Sequence, residues 1–293
     1  MKTLRLMEVE PRPRRVAIGT FDGIHLGHRQ VIAGADTVLT FDPHPLSVIH
    51  PDAAPKLLTP LHIKARLLES LGVVETVVIP FDDTFAHMDP HEFVREILIE
   101  RLDAKHVSVG ENFRFGFHAQ GDPALLSSYK EFETRVVPLV EEVGEIVSST
   151  QIRGLVAAGE VARAGELLGY PFTMVGKVVG GDRRGRELGF PTANLVPDEH
   201  DCVPGHGVYA ALTNGMPSAV NVGVRPTFVT GRGLLIESYV IDWSGDLYGQ
   251  EVELKFLKRM RGERRYDSAE ALVDQMHRDV DDARAICQAS AAA

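Results

Sequence analysis

The sequence is poor in cysteine, in positive charge and in long apolar runs, and each shortage excludes a class of protein. Only two of its 293 residues are cysteines, Cys202 and Cys287, too far apart for a disulfide framework or a metal-ligand spacing. No stretch approaches the ~18 consecutive apolar residues of a membrane helix. The formal net charge of −10 disfavours bulk attraction to nucleic acid or anionic membranes. We therefore expect a cytoplasmic protein without nucleic-acid or membrane partners, in which any phosphate site is local.

The first half of the chain alternates strand and helix patterns. The strand-like runs are RVAIGTF, DTVLTFDP, ETVVIPF, KHVSVG and TRVVPLV. Between them, one amphipathic helix follows Thr59 as its N-cap and ends before Gly72, and another opens at Asp89. This alternation predicts an α/β domain with a Rossmann-like parallel sheet, whose ligands bind at the carboxyl ends of the strands.

From Phe172 the chain becomes strand-rich and turn-rich. The expected strands are FTMVGKVV, GVYAALT, SAVNVGV, LLIESYVID and EVELKFL. They precede a final helix from about Ser268 to Ala289. The pattern predicts a small β-barrel with a terminal helix. A boundary near Gly169 gives two domains, 1–168 and 169–293.

The stretch GTFDGIHLGH concentrates glycines and histidines directly after the first buried strand. A strand ending at Ile18, a glycine-rich turn and a helix beginning near Gly27 or His28 would bring His25 and His28 around one point. Helix N-termini attract anions, so this point suits phosphate. Two surface histidines in a turn remain the alternative.

A second segment, EIVSSTQIRG, can also hold phosphate. Ser148, Ser149 and Thr150 stand before an expected helix and Arg153 lies one turn into it, so hydroxyls and a guanidinium can converge. A plain Ser/Thr helix cap with a solvated arginine is the alternative for this segment taken alone.

The two segments together resemble the H-x-G-H and Ser/Thr-Arg pair of the nucleotidylyltransferase superfamily. Nearly the whole chain resembles the prokaryotic bifunctional riboflavin kinase/FAD synthetases. The segments that match the adenylyltransferase half are GTFDGIHLGH, TFDPHP, VGENFRFG and VSSTQIRG. Those that match the kinase half, in the family's order, are GDRRGRELGFPTANL, HGVYAA, NVGVRPTF, IESYVID and DLYG.

For the first domain, the resemblance implies an FMN adenylyltransferase that transfers AMP from ATP to FMN, giving FAD and pyrophosphate. Its expected catalytic residues are His25, His28 and Arg153. Its expected ATP and phosphate contacts are Gly19, Phe21, Asp22, Gly23, Ser148, Ser149 and Thr150. Its expected flavin pocket is Asn112, Phe113 and Phe115, although core packing remains an alternative for the two aromatic rings. Asp42 and His44 are expected to border the site without an assigned role, and a structural turn built on Pro43 and Pro45 is an equal alternative.

For the second domain, the resemblance implies a riboflavin kinase that uses ATP and Mg²⁺ as co-substrate and cofactor. Glu237, an acid among apolar neighbours, is the expected base, with a salt-bridged structural role as the alternative. Thr192 and Asn194, two residues apart on a strand, would share one face and hold Mg²⁺. The expected phosphate contacts are Gly181, Arg183, Arg186 and Gly189, for which a solvated charged turn remains an alternative.

One departure from the family pattern affects the first domain. Only seven residues, RQVIAGA, separate His28 from the next strand, so the helix after the histidines is shorter than is usual in the family. Two other classes of protein are less compatible with the sequence. An aminoacyl-tRNA synthetase would need a lysine loop and a basic face, and a non-catalytic flavin-binding module would not need Glu237. The oligomeric state is left open.

Overall fold

The computed structural model describes residues 1–180, 190–224 and 234–291. Its internal contacts divide it into two compact units, Met1–Ser149 and Thr150–Ala293. This division assigns to the second unit two helices that the sequence-based boundary near Gly169 leaves with the first. The boundary between the functional domains stays a prediction.

The first unit is built on a six-stranded sheet in the order β1-β4-β3-β2-β5-β6, in which every pairing is parallel. Its strands are β1 (Lys2–Arg5), β2 (Arg14–Ile18), β3 (Thr37–Asp42), β4 (Glu75–Pro80), β5 (Ala104–Gly110) and β6 (Glu133–Val137). The five strands from β2 to β6 confirm the predicted parallel sheet. The edge strand β1 and a small hairpin of β7 (Glu141–Glu142) and β8 (Glu145–Ile146) were not predicted.

Both faces of this sheet are covered. Val16 and Ile18 of β2 belong to one apolar cluster, whereas Ala17 between them belongs to another with Ile32 and Leu68. Because both faces are buried, the strand reads as a continuous apolar run. The helices of the unit are α1 (Leu26–Ile32), α2 (Pro45–Ile49), α3 (Leu61–Ser70), α4 (Asp83–Ala86), α5 (Pro90–Glu92), which runs into the π-helix Phe93–Arg101, and α6 (Pro123–Ser128).

Three predicted helix starts can be compared with the structure. Asp89 caps α5 as predicted, since its carboxylate accepts from the backbone of the next turn. The helix after the histidines begins at Leu26, slightly earlier than predicted, because the His25 side chain is its N-cap. The prediction that Thr59 caps α3 is wrong. Pro60 occupies that position, and the Thr59 hydroxyl is bonded elsewhere, as described below.

The second unit contains a closed antiparallel barrel in the order β10-β13-β12-β11-β14-β9. Two helices precede it, α7 (Ser149–Ala158) and α8 (Val161–Leu168). The strands are β9 (Phe172–Val179), β10 (Ala193–Val196), β11 (Gly207–Thr213), β12 (Met216–Val224), β13 (Leu234–Val240) and β14 (Glu251–Arg261), and α9 (Ala269–Ala291) follows them. The predicted barrel and terminal helix are confirmed.

The barrel has an aromatic centre and a helix-covered outer side. Phe256 contacts both Tyr209 and Phe172, with ring centroids 5.4 and 6.2 Å apart. On the outside, Ala283 and Cys287 of α9 belong to an apolar cluster with the barrel strands. Within the described ranges, no helix is long and apolar enough to cross a membrane.

Candidate functional site

The first candidate site lies in the first unit, where β2 ends and α1 begins. His25 accepts a hydrogen bond at Nδ1 from the His28 backbone N–H, 3.3 Å away. A neutral His25 ring therefore carries its proton on Nε2. The two imidazoles stack with centroids 3.6 Å apart. The motif thus brings two imidazoles together at the start of a helix, as the sequence predicts.

Two glycines of the motif make room for rings. A Cβ at Gly27 would lie 3.1 Å from the His25 ring, and one at Gly19 would lie 3.0 Å from the Phe21 ring. Phe21 in turn meets His28 edge-on, with centroids 5.4 Å apart. These glycines therefore allow the packing that fixes the orientation of the imidazoles.

The loop between these glycines has an uncommon backbone. Phe21 has φ 48° and Ile24 has φ 38°, a left-handed conformation that costs a non-glycine residue on the order of 1 kcal/mol or more. Gly23, at φ 90°, adopts its conformation without that cost. Such strain persists only where the surroundings hold the loop.

Asp22 holds this loop in place. Its carboxylate, on a residue that is 1% exposed, accepts from the backbone N–H groups of Leu58 and Thr59 at 2.9 to 3.1 Å. The Thr59 hydroxyl donates to the same carboxylate and accepts from the Gly23 N–H. Asp22 is therefore engaged with the segment before α3. Its predicted contact with ATP stays untested.

The segment EIVSSTQIRG contacts this loop through the hydroxyl of Ser149. Ser149 Oγ donates to the Asp22 carbonyl oxygen at 2.8 Å. Because α7 begins at Ser149, Ser149 and Thr150 lie in its first turn, and the prediction that they precede the helix is wrong. Ser148 is half-buried and Thr150 is exposed. Arg153 belongs to the second unit, so its convergence with the histidines stays a prediction.

The three predicted flavin residues differ in exposure. Asn112 is exposed, Phe113 is half-buried and Phe115 is 7% exposed. Phe115 belongs to the core cluster and contacts Phe93 and Phe113 at 5.2 and 5.5 Å between centroids. The core-packing alternative therefore describes Phe115 well, while Asn112 and Phe113 are more accessible.

Two residues without an assigned role lie at the carboxyl end of β3. Asp42 is exposed there. His44 caps α2, because its Nδ1 accepts from the Leu46 backbone N–H at 3.2 Å. His44 thus has a local structural role.

Lys64 lies close to this site, although the sequence did not predict it there. It lies on α3 and is 7% exposed, and its Nζ donates to the Thr20 carbonyl oxygen at 2.6 Å. Burial lowers its pKa, and the carboxylates of Asp22 and Asp42 oppose that shift. The sequence does contain a sign of this burial: Lys64 lies four residues before Leu68, and therefore on the same apolar face of the helix.

The second candidate site lies on the barrel of the second unit. The strand register places Asn194 of β10 opposite Glu237 of β13, and Glu237 opposite Asn221 of β12. Directly opposed residues share a face of the sheet. Glu237 is half-buried; its neighbours along the strand are apolar, as expected, whereas its neighbours across the sheet are amides. The sequence pattern shows only the neighbours along a strand, not those across it.

Asn194 and Thr192 lie at the start of β10. Asn194 is 5% exposed, and its Nδ2 donates to the Thr192 carbonyl oxygen at 3.4 Å. Its Oδ1 is buried without a hydrogen-bond partner among the described residues. Thr192 is half-buried and directly precedes the strand. Four predicted phosphate contacts lie outside the described residues: Gly181, Arg183, Arg186 and Gly189.

Comparison with known proteins matches each half of the chain to a family. The FAD synthetase family matches residues 7–151 and the riboflavin kinase family matches residues 168–287. The bifunctional riboflavin kinase/FMN adenylyltransferase of Listeria monocytogenes is 37% identical over 289 residues, which cover 92% of this chain and 91% of that protein. This chain belongs to the bifunctional riboflavin kinase/FMN adenylyltransferase family. The resemblance stated from the motifs is confirmed.

Other relatives agree with this membership. The Escherichia coli K12 bifunctional riboflavin kinase/FMN adenylyltransferase is 37% identical over 282 residues, or 90% of each chain. The Bacillus subtilis bifunctional riboflavin kinase/FMN adenylyltransferase is 34% identical over 297 residues, covering 95% of this chain and 94% of that one. The bifunctional enzyme assignment therefore applies to both halves of the chain.

A solved structure shares the fold. The crystal structure of a macrolide-efflux protein from Streptococcus pneumoniae covers 97% of this chain and 99% of that chain, with a TM-score of 0.87 and 31% sequence identity. The family's two modules therefore have a close structural counterpart.

Proposed function

We propose that the His25–His28 site of the first unit transfers AMP from ATP to FMN, and that the Asn194–Glu237 face of the barrel phosphorylates riboflavin. The observation that carries the first assignment is the stacked imidazole pair beside a strained loop. The observation that carries the second is a carboxylate flanked by amides across three strands. ATP is the co-substrate in both reactions.

In the adenylyl transfer, an oxygen of the FMN phosphate attacks the α-phosphorus of ATP. The bond from the α-phosphorus to the bridging oxygen breaks, and pyrophosphate leaves with that oxygen. No protein nucleophile is needed, so the chain contributes positioning and stabilisation of the developing negative charge. We assign His25 and His28 to donate to these phosphates, with Ser148, Ser149 and Arg153 in the same role.

The flavin side of this reaction rests on the segment after β5. Asn112 has polar atoms suited to the edge of a flavin, and Phe113 offers an aromatic face. Phe115 supports Phe113 from the core through the stacked contact described above. We assign the flavin contact to the first two residues and the support to the third.

In the kinase reaction, Glu237 accepts the proton of the riboflavin 5′-hydroxyl as that oxygen attacks the γ-phosphorus of ATP. ADP leaves, and the product is FMN. Glu237 is half-buried and lies between two amides in the strand register, on one face of the barrel. Asn194 lies on the same face, opposite Glu237, and Thr192 directly precedes its strand.

Mg²⁺ fits the residues present at this site. The buried Asn194 Oδ1 lacks a hydrogen-bond partner among the described residues, and a neutral carbonyl oxygen is a ligand that Mg²⁺ accepts together with substrate phosphates. We therefore assign Asn194, with Thr192, to hold the ion. When bound, the ion would screen the phosphate charge.

A cytoplasmic location is also part of the proposal, since both cysteines are free thiols, as is usual in a reducing compartment.

Two substitutions test the assignment of one activity to each site. His28→Ala should leave FMN formation intact and reduce FAD formation, by about a hundredfold if a transition-state donor is lost. Glu237→Gln should block FMN formation, yet added FMN should still become FAD. The measurement is chromatography of the flavins after incubation with riboflavin or FMN, ATP and Mg²⁺.

Matched controls are available at exposed positions. His62→Ala and Glu251→Gln change the same residue types on exposed parts of α3 and β14, and both should behave as the parent. Matching thermal melts would show that the variants are folded. Parent-rate FAD formation by His28→Ala, or parent-rate FMN formation by Glu237→Gln, would refute the role of that residue.

A further inference from the structure

Lys64 is buried where a packing role would favour an apolar residue. The other buried residues of α3 are Ile63 and Leu68. Desolvating an ammonium is costly, and an apolar side chain of similar volume fills such a position at lower cost. The Lys64 Nζ instead donates to one backbone carbonyl, that of Thr20, at 2.6 Å. This contact lies at the start of the strained loop.

The Thr20 carbonyl is held by two donors. Thr40 Oγ1 of β3 also donates to it, at 3.2 Å, so the carbonyl accepts one hydrogen bond from α3 and one from the sheet. In a trans peptide the carbonyl and the following N–H point in opposite directions. Lys64 and Thr40 therefore direct the Phe21 N–H away from themselves.

These two hydrogen bonds to the Thr20 carbonyl lie directly beside the imidazole pair. Phe21 follows Thr20, takes φ 48° and contacts the His28 ring edge-on. Thr59 and Asp22 hold the next part of the loop through the hydrogen bonds described above. The segment from Leu58 to Lys64 thus holds the loop at successive points, and Lys64 fixes the first of them.

We propose that Lys64 is a positioning residue of the adenylyltransferase site, an inference that rests on the function proposed above. By holding the Thr20 carbonyl it keeps the loop, and through Phe21 the His28 ring, in the arrangement that meets the nucleotide phosphates. Lys64 acts through the loop and does not touch the substrate. A strained loop needs such support, because it relaxes when its surroundings stop determining it.

The test is the steady-state kinetics of the full chain carrying Lys64→Met, which keeps much of the volume and removes the donor. With FMN and ATP as substrates, kcat for FAD formation should fall about tenfold or more, because misplacing a site by a fraction of an ångström is costly. KM for ATP and FMN should change less than about threefold. Lys64→Arg, which keeps a cationic donor, should recover part of the lost kcat.

Two internal controls separate positioning from stability. Arg66→Met removes a cation from an exposed position of the same helix and should leave kcat within about twofold of the parent. Riboflavin phosphorylation by the same Lys64→Met chain should also stay within about twofold. A purely structural lysine would lower the melting temperature and leave kcat unchanged at a temperature well below it.

The possible results distinguish a failure of the proposed Lys64 role from a failure of the proposed function. If the parent makes FAD and folded Lys64→Met makes it with an unchanged kcat, the positioning role is overturned. If Lys64→Met does not fold, Lys64→Leu replaces it, since leucine has no donor for the Thr20 carbonyl, and an unchanged kcat there overturns the role equally. If the parent itself makes no FAD from FMN and ATP, the proposed function fails instead.

Discussion

At the scale of single residues, Tyr209 connects the inside of the barrel to the loop that precedes β11. Its ring lies against Phe256, and its hydroxyl donates to the Gly205 carbonyl oxygen. Burial raises the pKa of Tyr209, and the nearby Arg259 opposes that shift. The folded state therefore holds the phenol proton more tightly than the unfolded state does. This contribution to stability is present below pH 10.0 and is lost as the pH rises towards the folded pKa.

Tyr209→Phe should remove both the hydrogen bond and this pH dependence. Near neutral pH we expect a loss of about 1 kcal/mol in the free energy of unfolding. The difference between parent and variant should narrow above about pH 10, where the parent alone loses the protonation contribution. Urea unfolding followed by circular dichroism, near neutral pH and above about pH 10, measures the difference in the free energy of unfolding. Tyr248→Phe, at a half-exposed tyrosine, is the control. A difference that is constant with pH would contradict the assignment.

The residues that sequence reasoning found are those whose signal is local. His25 and His28 lie three positions apart, so one motif shows both. The bonds that support them come from Thr59 and Lys64, 36 to 44 residues away from their partners. No local pattern contains such a pairing. The side chains expected at the site were therefore predictable, whereas those that hold its loop were not.

At the scale of elements, strands with a long apolar run between turn residues were the most predictable. β9 and β11 have the predicted bounds, since apolar runs and flanking turns define both ends. β1 was missed because KTLR offers only Leu4 as a partly buried apolar residue, and its partner β4 lies some seventy residues away. β10 was predicted only as the strand that carries Thr192 and Asn194; it has four residues and begins at Ala193, so Thr192 lies just before it.

Two glycines around α7 should respond oppositely to alanine. Gly159 follows α7 with φ 82°, and a Cβ there would lie 2.7 Å from the Tyr209 hydroxyl and 2.9 Å from Arg259 Cδ. Gly159→Ala should therefore destabilise the second unit by about 1 to 3 kcal/mol. Gly154, inside α7, has nothing within 4 Å of its Cβ position, so Gly154→Ala should stabilise by about 0.5 to 1 kcal/mol.

Thermal and urea unfolding of the two variants provide the comparison. Each serves as the control for the other, because the chemical change is the same and only the backbone conformation and the space differ. Equal effects of the two substitutions would mean that the contacts of Gly159 do not limit the packing of α7 and α8 in the second unit.

At the scale of the whole molecule, the change from alternating strands and helices to a strand-rich pattern predicted two domains of different fold. The boundary near Gly169 rested on that change of periodicity alone. Packing adds information that periodicity lacks. α8 buries Val161, Ala164, Leu167 and Leu168 and packs on β9 and β14. The Gly205 N–H also donates to the Val156 carbonyl oxygen of α7 at 3.0 Å. Both helices therefore contribute to the core of the second unit.

Two fragments distinguish the boundaries. A fragment of residues 169–293 follows the sequence pattern, and one of residues 150–293 follows the contacts. Both should phosphorylate riboflavin, because Asn194 and Glu237 lie on barrel strands that both contain. The longer fragment should melt at a higher temperature, since the shorter one exposes the apolar surface that α8 covers and loses the bond from Gly205 to α7. Thermal melts and the rate of FMN formation of the two fragments measure this. Equal melting temperatures would show that α7 and α8 add nothing to the barrel's stability, and an inactive longer fragment beside an active full chain would show that the kinase depends on the first unit.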